Sequence, residues 1–154
     1  MEISIKHYSD LSPNEFHDMI ALRISVFVVE QNCPYQELDG LDKDAFHLIA
    51  QEENAIIGTL RILKAGIVYP EIAIGRVASA TNSRDKKLGH LMMKEAMLFL
   101  ESNFPSSAVR ISAQTHLCNF YRKYGFVETG KNYLEDGIPH SEMICSNNQN
   151  FNHL

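Results

Sequence analysis

Gly75-Arg76-Val77-Ala78-Ser79, followed a few residues on by Arg84-Asp85-Lys86-Lys87-Leu88-Gly89-His90, joins a β-prone segment to a polar loop and that loop to a long helical pattern. Leu88, Met92, Ala96 and Phe99 recur at the spacing of a helix stripe packed on a core. A loop feeding a helix N-terminus presents unpaired backbone N–H groups and the positive end of the helix dipole, which together suit a phosphate or pyrophosphate. Arg84, Lys86, Lys87 and Lys94 against Asp85 make this a basic spot in a chain of formal charge -5. An anion belongs there. The other reading of the same composition is a solvated basic helix start.

Upstream of this stretch, Ile3 and Ile5 alternate with polar neighbours and predict a strand. Ser12-Pro13-Asn14-Glu15 is a capping box with proline at the first helical position, so a helix starts here and is expected to run to about Val28. Phe16, Ile20, Ile24 and Phe27 form its predicted core stripe. From Glu30 to Asp44 five acids stand against Lys43 alone, in a loop with room for a short helix. Phe46 to Gln51 and Ile56 to Leu63 are strands turning at Glu53-Asn54, and a third follows from Ile72 to Ser79 after a turn at Ala65-Gly66.

Downstream, Asn103-Phe104-Pro105 ends the long helix. Val109, Ile111 and Ala113 alternate as a strand, and Leu117, Phe120, Tyr121 and Tyr124 suit a short helix closed by Gly125. Two more strands are expected at Phe126 to Lys131 and His140 to Cys145. The sum is an α+β, or mixed α/β, architecture: a central sheet of about seven strands flanked by helices. Residues 1–146 read as one domain and 147–154 as a flexible tail.

The 154 residues suffice for one hydrophobic core, and 45% hydrophobic with 21% charged residues excludes wholesale disorder. The acidic balance argues against a protein that coats nucleic acid. No uncharged apolar run approaches the roughly 18 residues of a membrane span, and no membrane partner is expected. Cys33, Cys118 and Cys145 lack zinc or disulfide spacing, and His7, His47 and His140 give no metal pattern, so no metal is expected. The absence of a signal-like start and the three unpaired cysteines point to the cytoplasm.

Arg84-Asp85-Lys86-Lys87-Leu88-Gly89 resembles the motif with which the GCN5-related N-acetyltransferases (GNAT) wrap the pyrophosphate of acetyl-coenzyme A (acetyl-CoA), with Lys87 where the first motif glycine stands. Asn119-Phe120-Tyr121-Arg122-Lys123-Tyr124-Gly125-Phe126 is similar to that family's second signature. Leu22-Arg23, Val26 to Gln31, Cys33-Pro34-Tyr35, Asp39-Gly40, Ile74 to Val77, Ala113-Gln114 and Glu135 to His140 resemble its ElaA-like branch, which tolerates lysine at position 87. The resemblance implies an acetyl-CoA-dependent N-acetyltransferase acting on a primary amine, small-molecule or peptide, with Tyr121 as general acid. It implies coenzyme contacts at Val77, Ala78, Ser79, Arg84, Asp85, Lys86, Lys87, Leu88, Gly89, His90, Gln114 and Asn119, with Gln114 replacing a family asparagine.

An ammonium acceptor must lose a proton before it attacks, so a base is needed. Glu30, Glu37, His47 and Glu71 are candidates, Glu37 and His47 ranking first. The acidic loop could steer a cationic amine, or simply be a solvated face, while Arg76 and His140 read equally well as structural polar residues. Direct transfer needs no cysteine nucleophile. A non-catalytic acyl-CoA sensor and a cofactor-free interaction domain are the competing functions. C-terminal strands able to extend a neighbour's sheet make a homodimer possible.

Overall fold

The computed structural model describes residues 1–146, apart from the side chains of Asp85 and Lys86, so the expected tail at 147–154 lies outside the described residues. Strands β1 (Glu2–His7), β2 (Ala45–Glu52), β3 (Ala55–Leu63), β4 (Ile72–Ser79), β5 (Val109–Gln114), β6 (Val127–Glu135) and β7 (Ile138–Cys145) form one sheet in the order β1-β2-β3-β4-β5-β7-β6. Neighbouring strands run antiparallel except β4 and β5, which are parallel. Helices α1 (Pro13–Ile24), α2 (Leu88–Asn103) and the short α3 (Cys118–Arg122) complete the fold. It is the mixed sheet with flanking helices that the hydrophobic pattern predicts.

Local chemistry sets most boundaries. The Ser12 hydroxyl accepts from the Glu15 N–H at 3.1 Å while the Glu15 carboxylate accepts from the Ser12 N–H at 2.8 Å, closing the capping box at the start of α1. Glu53 and Asn54, at φ 50° and 64°, supply the two left-handed residues of a tight β2–β3 turn. Leu88, Met92, Met93, Ala96, Met97 and Leu100 are completely buried between α2 and the sheet. Each of these Leu and Met side chains contributes roughly 1.5–3 kcal/mol through burial. Gly58 lets α2 come this close to β3: a Cβ there would sit 2.6 Å from the Met92 sulfur.

Three expectations are corrected. First, α1 ends at Ile24 and the chain continues as a wider π-helical turn, Ser25–Glu30. The buried face runs through Met19, Ile20, Arg23 and Val26 at ordinary helical spacing, with Arg23 turned inward in place of Ile24, which is 38% exposed. Second, the last two strands are longer than predicted. Asp136 and Gly137, at φ 50° and 77°, form a two-residue turn that joins Glu135 directly to Ile138. Third, the acidic loop is not a solvated face, for the reasons given below.

The decisive feature lies at the centre of the sheet. Strands β4 and β5 pair only through Ile72 with Val109 and Ala73 with Arg110, and then diverge. β4 also bulges: between Arg61–Gly75 and Thr59–Ala78 it fits Arg76 and Val77 opposite Leu60 alone, with Arg76 at φ 53°. The outer half of β4 therefore turns an open edge toward the gap. Among the described residues no helix is long and apolar enough to cross a membrane.

Candidate functional site

The splayed strands frame a cleft of about 780 Å³ that passes through the sheet. Helices α1 and α2 lie on opposite faces, because Arg61 of β3 turns to the α1 side while its neighbours Leu60 and Ile62 belong to the core beneath α2. On the α2 side the cleft is lined by Gly89, Met92, Phe120 and Tyr121. On the α1 side Gln31, Tyr35, Asp39, Arg76, Glu135, Asp136 and His140 line it. Val77, Ala78 and Ser79 of the bulged strand, with Ser112 and Gln114 of β5, stand between the two.

Seven of the residues implicated by the sequence come together here: Val77, Ala78, Ser79, Arg84, Gly89, Gln114 and Tyr121. Tyr121 is 7% exposed, packed edge-on against Phe120 and Phe126, and its hydroxyl makes no hydrogen bond among the described residues. Burial, reinforced by Cys118, pushes its phenol up to about 12, so the proton stays on oxygen at neutral pH. Arg84 forms a two-armed ion pair with Glu30, at 2.6 and 2.7 Å, and reaches the Ser79 carbonyl at 3.3 Å. Gln114 meets Gln31 through weak amide contacts of 3.4 to 3.5 Å.

Lys87 occupies the left-handed region, at φ 53° and ψ 29°, and so takes up without a glycine the backbone shape that glycine adopts freely. Leu88 is fully buried in the core, and the His90 ring is turned to the Tyr124 hydroxyl at 2.7 Å. Leu88 can therefore meet a ligand only through its backbone. Asn119 is exposed, accepts from Arg122 and lies outside the cleft lining. The expectations on the side chains of Asp85 and Lys86 fall outside the described residues.

The two leading candidates for the base are misplaced. His47 is completely buried, its Nε2 bonded to the Asp42 carbonyl at 2.9 Å and its Nδ1 without a partner among the described residues. Burial pushes its imidazole below the ordinary range, and the ring does not reach the cleft. Glu37, 4% exposed, accepts from Arg23 at 2.5 Å, from Arg76 at 3.0 Å and from the Tyr35 hydroxyl. With both oxygens committed it is a structural anion. Glu71 is held by Arg110 at 2.7 Å, outside the cleft lining, and Glu30 by Arg84.

The acidic loop is therefore an internal ion network. Arg23 of α1, 1% exposed, also binds Asp42 at 2.6 Å. Arg61 binds Asp39 through two 2.8 Å bonds and Asp42 at 3.2 Å, and Arg76 reaches Asp39 at 3.4 Å. Burial alone would raise the Asp39 carboxyl, but the hydrogen bonds from Arg61 and the Leu41 N–H and the nearby guanidinium groups outweigh it and hold it at about 2. Three arginines and three carboxylates cancel, so this loop carries little free charge with which to steer an amine. Sequence reasoning weighed the acids without Arg23 and Arg61, which lie far away in the chain. It also missed Glu135 and Asp136 as cleft residues; an Asp-Gly turn between two β-prone runs is the signal that would have found them. Among the described residues no group of His, Cys, Asp and Glu could hold a metal ion.

The sheet is thus split between its parallel strands, with a basic helix start beside the gap on one side and a polar pocket on the other. Residues 8–147 match the acetyltransferase (GNAT) domain family, and the chain belongs to it. It is 38% identical over 139 residues to the protein ElaA of Escherichia coli, covering 89% of this chain and 91% of that one. The crystal structure of an acyl-CoA N-acyltransferase from Pseudomonas aeruginosa superposes with a TM-score of 0.89 at 41% identity, covering 94% of this chain and 99% of that one. The crystal structure of Escherichia coli ElaA does so at 0.87 and 36% identity, covering 93% of this chain and 97% of that one.

Proposed function

We propose that the protein transfers an acetyl group from acetyl-CoA directly to the primary amine of a small molecule or peptide, with Tyr121 as general acid. The observation that carries this reading is a protonated, hydrogen-bond-free tyrosine inside a cleft that opens on both faces of the sheet. The residues present suit an acyl-CoA. The first amides of α2 point out of its N-terminus, as in any helix, and Gly89 lines the cleft beside Arg84. The open edge of β4 beyond Ala73 offers extended backbone to an amide-bearing arm, and its N–H groups near Val77 to Ser79 can polarise a carbonyl.

When bound, acetyl-CoA supplies an activated thioester. Tyr121 holds the proton that the departing sulfur needs. Arg84 exchanges part of its pairing with Glu30 for a phosphate; both side chains of that pair are about 40% exposed, so the exchange costs little.

Calorimetric titration with acetyl-CoA tests the reading. Micromolar or tighter binding is expected, lost in an Arg84→Ala, Lys87→Ala double variant; no binding by the natural protein overturns the proposal. Tyr121→Phe should bind acetyl-CoA normally while transfer to amines falls about 100-fold or more. An acyl-CoA sensor would bind equally well in both forms and transfer nothing in either.

A further inference from the structure

On the α1 side of the cleft, the hairpin of β6 and β7 carries a second set of polar groups that the acetyltransferase reading leaves unused. His140 lines the cleft and is 8% exposed. Its Nδ1 donates to the Ile138 carbonyl at 2.7 Å, which fixes the ring and leaves Nε2 as the nitrogen that gains or loses a proton. Nε2 lies 3.3 Å from the Glu135 carboxylate, and the ring stacks on Tyr133 with planes 12° apart. Glu135 in turn accepts from Ser112 at 3.4 Å, and Ser112 also bonds the Tyr133 hydroxyl. An imidazole locked at one nitrogen and paired with a carboxylate at the other is the arrangement used to take up a proton and pass it on.

We infer that His140 is the general base for the acceptor amine, with Glu135 as its positioning partner. The inference rests on the acetyltransferase reading and deepens it. The other acids of the cleft are spent or differently placed: Glu30 on Arg84, Asp39 on Arg61 and Arg76. The remaining groups facing His140 are Tyr133 and Glu135 from β6, Gln114 as its cross-strand neighbour on β5, and Asp136 in the turn. Glu142, next on the same face of β7, is matched by Arg110 at 2.6 Å. Asp136 has no ion-pair partner among the described residues, so with Glu135 it makes this end of the cleft anionic, suited to an acceptor that arrives as an ammonium.

The proton balance closes. The ammonium gives one proton to His140 Nε2, which releases it through Glu135 to solvent. The free amine forms the nitrogen–carbon bond as the carbon–sulfur bond breaks, and Tyr121 protonates the sulfur. A second proton, lost by nitrogen as the amide forms, returns to Tyr121. The products are the amide, the thiol and one proton in solution.

Two experiments test this. Nitrogen-15 NMR of the free protein, with His140 assigned by a His140→Asn variant, should show the neutral ring carrying its proton on Nδ1 and a bare Nε2. This arm needs neither coenzyme nor acceptor; a neutral His140 ring that carries its proton on Nε2 instead overturns the base. In thiol-release assays with 1-butylamine and 1,4-diaminobutane, His140→Asn should lower kcat/KM about 100-fold or more and abolish its acid limb, while binding of acetyl-CoA is unchanged. Glu135→Gln should give a smaller fall of the same kind, and Tyr121→Phe should retain the limb. An acid limb that survives His140→Asn overturns the inference. Failure of acetyl-CoA to bind the natural protein would instead sink the underlying reading, so the two failures are distinguishable.

Discussion

The two sides of the cleft are built on different physics. Beside the helix start, the cleft is framed by one continuous run of chain, the end of β4 and the start of α2, and its ion pair of Arg84 with Glu30 is substantially exposed. On the α1 side, Arg23, Glu37, Asp42, Arg61 and Arg76 come from α1, the acidic loop, β3 and β4, and Arg23, Glu37 and Asp42 are almost fully enclosed. The first side is a local backbone shape decorated with charge. The second is a pocket wall held in place by charges that cannot be hydrated.

Ion pairs should therefore behave oppositely on the two sides. Arg23→Ala strands Glu37 and Asp42 in a buried site, and a loss of about 3–5 kcal/mol in urea unfolding is expected. Arg84→Ala, by contrast, should change stability by less than about 1 kcal/mol while weakening acetyl-CoA binding. Equal stability effects from the two would break the comparison.

Acid separates the two sides next. Asp39 is held at about 2 in the folded protein against an ordinary 3.8. A depressed carboxyl stabilises the fold above its unfolded value and loses that contribution as pH falls through the folded one. Urea midpoints should thus drop between about pH 4 and 2, with this carboxylate contributing on the order of 1–2 kcal/mol. Asp39→Asn should lower stability at pH 7 and flatten that part of the acid profile.

The smallest effect is expected at Lys87. Relief of its left-handed backbone by Lys87→Gly is worth about 1–2 kcal/mol, and the added freedom of the unfolded chain cancels about 0.5–1 kcal/mol of it. A net gain of up to about 1 kcal/mol should appear in thermal melts, with a few-fold loss of acetyl-CoA affinity from the missing ammonium. A destabilised variant would show that the lysine side chain, not the backbone, holds the loop.

Most of the strands and helices, the capping box and the β2–β3 turn were legible in the sequence, because periodicity, caps and turn residues act over a few neighbours. The basic helix start beside the cleft was legible for the same reason: β4, its loop and α2 are consecutive. Misjudged elements depended on partners distant in the chain. The α1 stripe failed at Ile24 because Arg23 turns inward to carboxylates 14 and 19 residues away. Glu37 and His47 looked like bases because nothing local shows that Arg76 would close on one or that β2 would bury the other.

By itself the sequence determined the order of elements, the basic helix start and the short helix that carries Tyr121, all consequences of short-range rules written into adjacent residues. Only the tertiary structure decided where β4 and β5 part, which acids are neutralised inside the fold and that the end of the β6–β7 hairpin bearing Glu135 and His140 borders the cleft. Those outcomes follow from which strands become neighbours and which charges are sealed from water, and both depend on contacts between residues remote in the chain.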